Sequence, residues 1–287
     1  MEDFGMAYRF IRFPGGKSKA VTFSYDDGST QDKRLAQTLD KYGIKCTFNL
    51  NSSRLLDGTQ LTVQDAKQLI KNGHEVAVHG KHHVACGIAS PIEGIRDVLT
   101  CREELETALG RIIQGMAYAD SGVTSFANGT DYDTVRKYLA DLGIAYARSI
   151  GSDNDRFELP CDPYNWIPTA HHANPKIMAY IEKFVALRPD ENYWSDRNAR
   201  LFFVWGHSYE FEHNNNWNLL EEICSALSGK EDIWYATNIE IHNYINAYNS
   251  LIWSTDGKLV YNPTLIDMHF VVGEKYFCVK SGETLSL

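Results

Sequence analysis

Two adjacent carboxylates end an apolar run near the start of the chain. The segment from Ala20 to Thr30 reads A-V-T-F-S-Y-D-D-G-S-T, so its β-branched and aromatic residues stop at Asp26 and Asp27. A buried strand that ends in this way brings charged side chains to its exposed end. Such a pair is also typical of a turn whose carboxylate caps the next helix. With suitable partners, one carboxylate can bind a metal while the other takes a proton from water.

Imidazoles follow a second apolar run. Residues 75–78 lead into H-G-K-H-H at positions 79–83, which places His79 and His83 four residues apart with His82 between them. One turn of chain can aim both rings at one point, and neutral imidazole is a common ligand of zinc. A single surface histidine usually has no such role, but three within five residues favour a ligand set. We therefore predict that Asp27, His79 and His83 bind a divalent metal.

A further histidine, His207, follows a third apolar run in the sequence V-W-G-H-S-Y-E-F. An imidazolium near neutral pH can protonate a leaving amine, which predicts His207 as a general acid. The alternative is a half-buried histidine with a structural role.

A polar loop and several aromatic residues are candidates for substrate binding. Residues 120–131 form a Gly/Ser/Thr/Asn loop that is longer than most connections between a strand and a helix, which favours a functional role. Aromatic rings near a cleft can stack on sugar rings. The candidate substrate contacts are Tyr118, Asp120, Trp166 and Trp205.

The elements that must position these residues alternate between strand and helix. Apolar runs predict strands at 20–25, 46–50, 75–79, 114–119, 144–148, 201–205 and 233–236. Amphipathic spacing and capping residues predict helices at 31–42, 62–72, 91–109, 133–142, 176–187, 217–227 and 239–251. This alternation predicts an α/β fold whose parallel sheet of about seven or eight strands closes, or nearly closes, into a (β/α) barrel. Three candidate groups, Asp26 with Asp27, His79 with His83, and His207, lie at predicted carboxyl ends of strands, where such barrels carry their chemistry.

The end of the chain has a different pattern. Residues 258–287 show three short β runs and no helix, which predicts a hairpin-like β appendage. We therefore predict a catalytic barrel domain over residues 1–255 and a small β extension over 256–287 that packs on it.

Composition excludes several classes of protein. The 287 residues are 44% hydrophobic and 23% charged, with a net charge of -9 and no cluster of Lys and Arg, so we expect no nucleic-acid partner. No apolar stretch approaches 18 residues, so we expect no membrane partner. Six cysteines without C-x-x-C spacing predict free thiols. The first residues lack the pattern of a signal peptide, which predicts a cytoplasmic protein, or a secreted one if a leader has been removed. The sequence does not indicate an oligomeric state.

At these motifs the chain resembles the polysaccharide deacetylases, the family 4 carbohydrate esterases with the nodulation-deacetylase homology domain. Y-D-D-G at 25–28 resembles their T-F-D-D-G motif, and H-G-K-H-H at 79–83 resembles their H-S/T-x-x-H motif. G-H-S at 206–208 is similar to their last motif, which ends in a catalytic histidine. The resemblance covers about residues 18–250.

The resemblance implies a distorted (β/α) barrel and a role for each site residue. Asp26 would be the general base, Asp27 the carboxylate ligand, His79 and His83 the imidazole ligands, and His207 the general acid. It also implies a divalent metal, commonly Zn²⁺, with Co²⁺, Mn²⁺ and Ni²⁺ as alternatives. Water would attack an acetamide through an oxyanion held by the metal and a backbone N–H.

Two motifs of the family have no clean counterpart. The third, R-P-P-Y-G, is matched only partly by M-A-Y-A-D-S-G at 116–122 and F-A-N-G at 126–129, and neither contains the arginine that orients the base. The fourth, D-x-x-D-W, is matched only partly by D-P-Y-N-W at 162–166, where Asn165 takes the place of the second aspartate. We predict a metal-dependent hydrolase that removes acetyl groups from an N-acetylated or O-acetylated carbohydrate. The alternatives are an allantoinase-like hydrolase of cyclic amides or ureides, and a catalytically silent glycan-binding barrel, against which the intact Asp26 argues.

Overall fold

The computed structural model describes residues 8–150, 154–193 and 196–287. Its strands are β1 (Arg9–Arg12), β2 (Lys19–Asp26), β3 (Cys46–Leu50), β4 (Glu75–Val78), β5 (Gly115–Ala117), β6 (Tyr146–Arg148), β7 (Ala170–His171), β8 (Arg200–Gly206), β9 (Ile233–Tyr235), β10 (Ile252–Trp253), β11 (Leu259–Tyr261), β12 (Met268–Val272), β13 (Lys275–Val279) and β14 (Thr284–Ser286). Its helices are α1 (Asp32–Lys41), α2 (Ser52–Asp57), α3 (Val63–Lys71), α4 (Pro91–Leu109), α5 (Tyr132–Asp141), α6 (Ile177–Ala186), α7 (Tyr209–His213), α8 (Trp217–Leu227) and α9 (Asn238–Asn249).

Eight of the strands form one parallel sheet that curls into a distorted barrel. The order is β6-β5-β4-β3-β2-β8-β7, and β9 pairs with the first three residues of β2. The two outer strands of the sheet, β6 and β7, are connected through the segment that begins at Trp166. Trp166 forms a parallel bridge with Arg148 at the end of β6, and a few residues later β7 pairs with β8. The predicted fold class is therefore confirmed, and so are the alternating strands and helices. The sequence did not predict the short elements α2, α7 and β7.

The two faces of the sheet differ because strand side chains alternate. On β2, Val21, Phe23 and Tyr25 belong to the apolar core formed with the helices. Thr22 and Ser24 are also buried, but they face a polar interior in which they contact Asn238 and Asn49. The interior of the barrel along β2 therefore holds hydrogen-bonded polar groups at Thr22 and, nearer the carboxyl end of the strand, at Ser24.

The strands in the last part of the chain belong to two antiparallel sheets of three strands each. One sheet has the order β10-β11-β14. The other has the order β1-β12-β13, so a strand from the start of the chain completes it. Val260, Met268 and Phe270 pack in one apolar cluster with Leu201 and Phe203 of the barrel.

Two further features bear on the sequence predictions. All six cysteines are free thiols. Within the described ranges, no helix has the length and apolar character that crossing a membrane would require.

Candidate active site

The turn after β2 separates its two carboxylates. Asp26 is the last residue of the strand, is buried, and faces the barrel interior. Asp27 has a φ of 75°, a left-handed conformation that is uncommon outside glycine. Gly28 continues the turn with a φ of 68°, where an added Cβ would lie 2.8 Å from the Leu50 side chain. This backbone sends two consecutive carboxylates in different directions, and strain of this kind concentrates at functional sites.

Asp27 lies beside both predicted imidazole ligands. Its Oδ1 is 3.5 Å from Nε2 of His83 and 3.9 Å from Nε2 of His79. One ligand atom from each of the three residues lies within 4.8 Å of the others. Nδ1 of His79 is 3.0 Å from the carbonyl oxygen of Ala117, so it must carry the proton and donate it. The lone pair of His79 Nε2 is then free to bind a metal, and the donor set fits zinc or a similar ion with an open position.

Hydrogen bonds with Asn51 and Asp97 hold the loop that carries His79 and His83. Nδ2 of Asn51 donates to the carbonyl oxygens of His79, at 2.7 Å, and Gly80, at 3.0 Å. Oδ1 of Asp97 accepts the backbone N–H of His82 at 2.8 Å. An added Cβ on Gly80 would lie 2.3 Å from Oδ2 of Asp97, which explains why glycine stands where the family has Ser or Thr. His83 itself has a φ of 59°.

Asp26 is restrained by a residue that the sequence analysis missed. Arg148, fully buried at the end of β6, forms an ion pair with its Oδ2, and Nδ2 of Asn49 donates to its Oδ1 at 2.8 Å. Burial raises the pKa of Asp26, but the charge of Arg148, the largest opposing effect, holds that pKa below its usual value. The carboxylate is therefore ionised and can accept a proton.

The position of Arg148 explains why the motif comparison did not find it. In the sheet, Arg148 is the register partner of Ala117, which belongs to the segment 116–122 where the family's third motif was sought. The arginine therefore enters the barrel from the neighbouring strand. Its guanidinium carbon also lies 4.6 Å from the ring centroid of Trp205. The one available signal was a basic residue at the end of a predicted strand, residues 144–148.

His207 stands on the other side of Asp27. Its Nε2 is 4.0 Å from Asp27 Oδ2, and its Nδ1 forms a 3.1 Å hydrogen bond with Oε1 of Glu210. Burial lowers the pKa of His207, but the hydrogen bond to Glu210 and the charges of Asp26, Glu210 and Asp27 raise it above its ordinary value overall. Glu210 lies three residues after His207 in α7 and was not among the predicted site residues.

The structure separates the predicted substrate contacts into two groups. Trp205 is half-buried between Arg148 and His207, and Asp120 is exposed beside the loop of residues 79–83. Tyr118 and Trp166 are each 1% exposed and pack in the core, and the Tyr118 hydroxyl donates to a backbone carbonyl. This corrects the prediction for Tyr118 and Trp166, because a substrate cannot reach core residues.

A large cavity opens beside His83. Its volume is about 940 Å³, and its walls come from residues 81–89, from the first half of α4 and from residues 120–128. Two backbone hydrogen bonds join the loops, from Gly87 to Gly122 at 2.7 Å and from Ala127 to Gly87 at 3.0 Å. Asp120, with a φ of 52°, lines this cavity. Asn128, which also lines it, has a φ of 52° as well, so four residues in this region, Asp27, His83, Asp120 and Asn128, hold a left-handed backbone without being glycine.

Comparison with known proteins supports the same family as the motifs. The family model for polysaccharide deacetylase matches residues 9–147, which confirms the resemblance. The search among curated proteins found no match.

Solved structures share the fold. A protein assigned as a polysaccharide deacetylase from Mycobacterium smegmatis has a TM-score of 0.59 and 17% identity, over 83% of this chain and 94% of that one. Peptidoglycan deacetylase PdaC from Bacillus subtilis has a TM-score of 0.51 and 13% identity, over 83% and 96%. A family 4 acetyl xylan esterase from Clostridium thermocellum, in complex with a cobalt ion, has a TM-score of 0.50 and 17% identity, over 78% and 90%. These identities are low, so they establish the distorted barrel and leave the substrate open.

Proposed function

We propose that this chain, which shares the fold and the family model of the polysaccharide deacetylases, is a metal-dependent hydrolase that removes acetyl groups from an N-acetylated carbohydrate, or from an O-acetylated one. The observation that carries the proposal is the division of the paired carboxylates. Asp27 lies with His79 and His83, whereas Asp26 lies with Arg148. A metal-binding protein without catalysis has no need of an ionised base beside its ligands.

The ligand set of Asp27, His79 and His83 would hold the metal, for which we propose Zn²⁺ with Co²⁺, Mn²⁺ and Ni²⁺ as alternatives. When bound, such an ion supplies Lewis acidity, which eases the deprotonation of water and polarises a carbonyl group. Nη1 of Arg54 donates to Asp27 Oδ1 at 2.9 Å and so helps to orient the carboxylate.

The remaining residues move the protons. Asp26 takes a proton from the water that adds to the acetyl carbon, and Arg148 and Asn49 keep the Asp26 oxygens in place for this step. His207, on the far side of Asp27, donates a proton to the leaving nitrogen as the carbon–nitrogen bond breaks. The products are acetate and an amine, or an alcohol where the acetyl group is an ester.

The cavity favours a glycan over a small cyclic amide. Sites for small molecules span roughly 300 to 1,000 Å³, and this cavity of about 940 Å³ lies at the upper end. A cyclic ureide would fill a small part of it. Its lining mixes planar polar side chains, such as Arg96, Asp120 and Asn128, with apolar ones, such as Val84 and Ile88. Planar polar groups can hydrogen-bond sugar hydroxyls, and apolar groups can cover the faces of sugar rings, so we propose an oligosaccharide substrate.

The test measures metal content and acetate release in the same preparations. Wild-type protein loaded with zinc is assayed on N-acetylated sugars and oligosaccharides, acetylated xylan and cyclic ureides. We expect acetate release from an acetylated glycan, and we expect Asp26→Asn to keep the metal while acetate release falls at least 100-fold, as for loss of a general base. A wild-type protein that binds no metal would refute the proposal, and a fully active Asp26→Asn variant would refute the assignment of the base.

A further inference from the structure

A second cluster of histidines and a carboxylate lies next to the proposed metal group. Oε2 of Glu210 is 3.1 Å from Nε2 of His171 and 3.2 Å from Nε2 of His172, while its Oε1 holds His207. One ligand atom from each of His171, His207 and Glu210 lies within 4.8 Å of the others. By residue type alone, this cluster, which we call the Glu210 cluster, could be a second metal site.

Proton positions distinguish the two clusters. In the first, Nδ1 of His79 donates to a carbonyl oxygen, so its Nε2 has a free lone pair toward Asp27. In the Glu210 cluster, Nδ1 of His171 accepts the backbone N–H of Ala173 at 3.1 Å. The proton of a neutral His171 must then sit on Nε2, the nitrogen that faces Glu210. A protonated nitrogen attracts a carboxylate and cannot bind a metal.

The rest of the cluster is fixed by packing. His172 is buried, and its ring stacks on Phe211 with the centroids 4.1 Å apart. An added Cβ on Gly206 would lie 2.0 Å from Nδ1 of His172, so the glycine before His207 makes room for this ring. His172 is therefore held in place before any substrate binds, and Glu210 lies between two imidazoles that surround its Oε2.

From this geometry, and resting on the proposed function, we propose that Glu210 is a positioning residue for the general acid. Surrounded by His171 and His172, it accepts the Nδ1 proton of His207 and turns Nε2 of that ring toward the reaction site beside Asp27. His207 gives its Nε2 proton to the leaving group. Its Nδ1 keeps its own proton, which stays hydrogen-bonded to Glu210. The ring therefore starts each turnover in the same orientation, and the Glu210 cluster binds no metal of its own.

The test compares Glu210→Ala and Glu210→Gln with Glu222→Ala, a control at an exposed glutamate of α8. We expect Glu210→Ala to lower kcat by about 10- to 100-fold, as for other residues that orient a working side chain, with KM unchanged. Glu210→Gln should recover part of this loss, because an amide oxygen still accepts the Nδ1 proton. The control should match wild type. Zinc content should stay at one equivalent per chain in all of them.

Two results would overturn the proposal. One is a second equivalent of zinc in the wild type that is lost in both Glu210→Ala and His171→Ala, which would make the cluster a metal site. The other is an unchanged kcat in Glu210→Ala.

A measurement without substrate keeps this test separate from the proposed function. Nitrogen-15 NMR of the imidazoles, with His207 assigned through His207→Asn, should show a protonated Nδ1 in wild type and in the control. If no glycan releases acetate, the proposed function fails while this spectrum still decides the role of Glu210. A His207 Nδ1 without a proton in the wild type would overturn the inference whatever the activity.

Discussion

Two buried carboxylates occupy opposite ends of the barrel interior, and their surroundings differ. Asp26, at the carboxyl end of β2, faces the guanidinium of Arg148. Glu75, at the first residue of β4, accepts hydrogen bonds from Thr47, at 2.7 Å, Tyr146, at 2.8 Å, and the backbone of Ile239, at 2.9 Å. Among the described residues, no basic side chain forms an ion pair with Glu75.

The pKa values of the two groups move in opposite directions. Burial raises the pKa of both carboxyls. At Asp26 the cation reverses that effect, whereas at Glu75 the three hydrogen bonds only limit it and the pKa is raised to about 7. The barrel thus carries an ionised carboxylate at one end and a carboxyl that is partly neutral near pH 7 at the other. A buried carboxylate stays ionised here because a cation lies beside it, whereas hydrogen bonds alone leave the pKa of Glu75 raised.

Removing the cation should have the largest effect. Arg148→Met leaves Asp26 buried without a partner, and breaking a buried ion pair in this way costs about 3 to 5 kcal/mol of unfolding free energy. Acetate release should also fall, because without the cation burial would raise the pKa of Asp26, as burial already raises the pKa of Glu75. Urea denaturation and the activity assay measure the two effects.

The control for this variant is Arg156→Gln, which removes an arginine from the exposed pair with Glu158. Such surface pairs contribute about 0 to 1 kcal/mol. If the two variants lose similar stability, Arg148 does not support Asp26 as described.

Replacing Glu75 by a neutral residue should change the unfolding free energy by less, and at pH 8 it should raise that free energy where Arg148→Met lowers it. The pKa of Glu75 is higher in the folded chain than in the unfolded chain. The stability that this group contributes is therefore fully present below about pH 4.5 and is lost as the pH rises through about 7, a change of at most about 3 kcal/mol. Glu75→Gln removes the titration and can still accept from Thr47 and Ile239 while donating to Tyr146.

We therefore expect the unfolding free energy of Glu75→Gln to vary less than that of wild type between pH 5 and pH 8. The variant should be the more stable of the two at pH 8, with acetate release unchanged. Denaturation curves at the two pH values measure this difference, and parallel pH profiles for wild type and variant would show that Glu75 does not titrate in this range.

The smallest expected effect comes from weakening the hydrogen bonds to Glu75. Tyr146→Phe removes one donor, and a hydrogen bond to a charged group contributes about 1.5 to 3 kcal/mol. The loss should be near the lower figure at pH 8 and smaller at pH 5, where Glu75 is protonated. Equal losses at the two pH values would indicate that Tyr146 acts through packing alone.

Much of the fold and part of the site could be predicted from the sequence. The periodicity of apolar residues predicted the strands and helices, and hence the parallel barrel. Because the carboxyl ends of parallel strands meet at one end of a barrel, the sequence also indicated that Asp27, His79 and His83 would lie together. Each of these signals is local, since it depends on a residue's own strand and the few residues after it.

The supporting residues could not be found in that way. Asp26 and Arg148 are 122 positions apart in the chain and meet only because β6 reaches that depth in the barrel. Tyr146, two residues earlier on the same strand, serves Glu75 at the other end. Strand register decides such pairings, and a one-residue shift would turn both side chains to the other face.

The sequence by itself therefore determined the barrel and the residues that lie at the carboxyl ends of its strands. The tertiary structure decided which buried carboxylate has a cation beside it and which predicted aromatic residues lie in the core. It also decided which ring nitrogen carries the proton in His79 and in His171. The physical reason is that periodicity and strand-end motifs act over a few residues, whereas ion pairs, burial and histidine tautomers depend on neighbours that only the folded chain brings together.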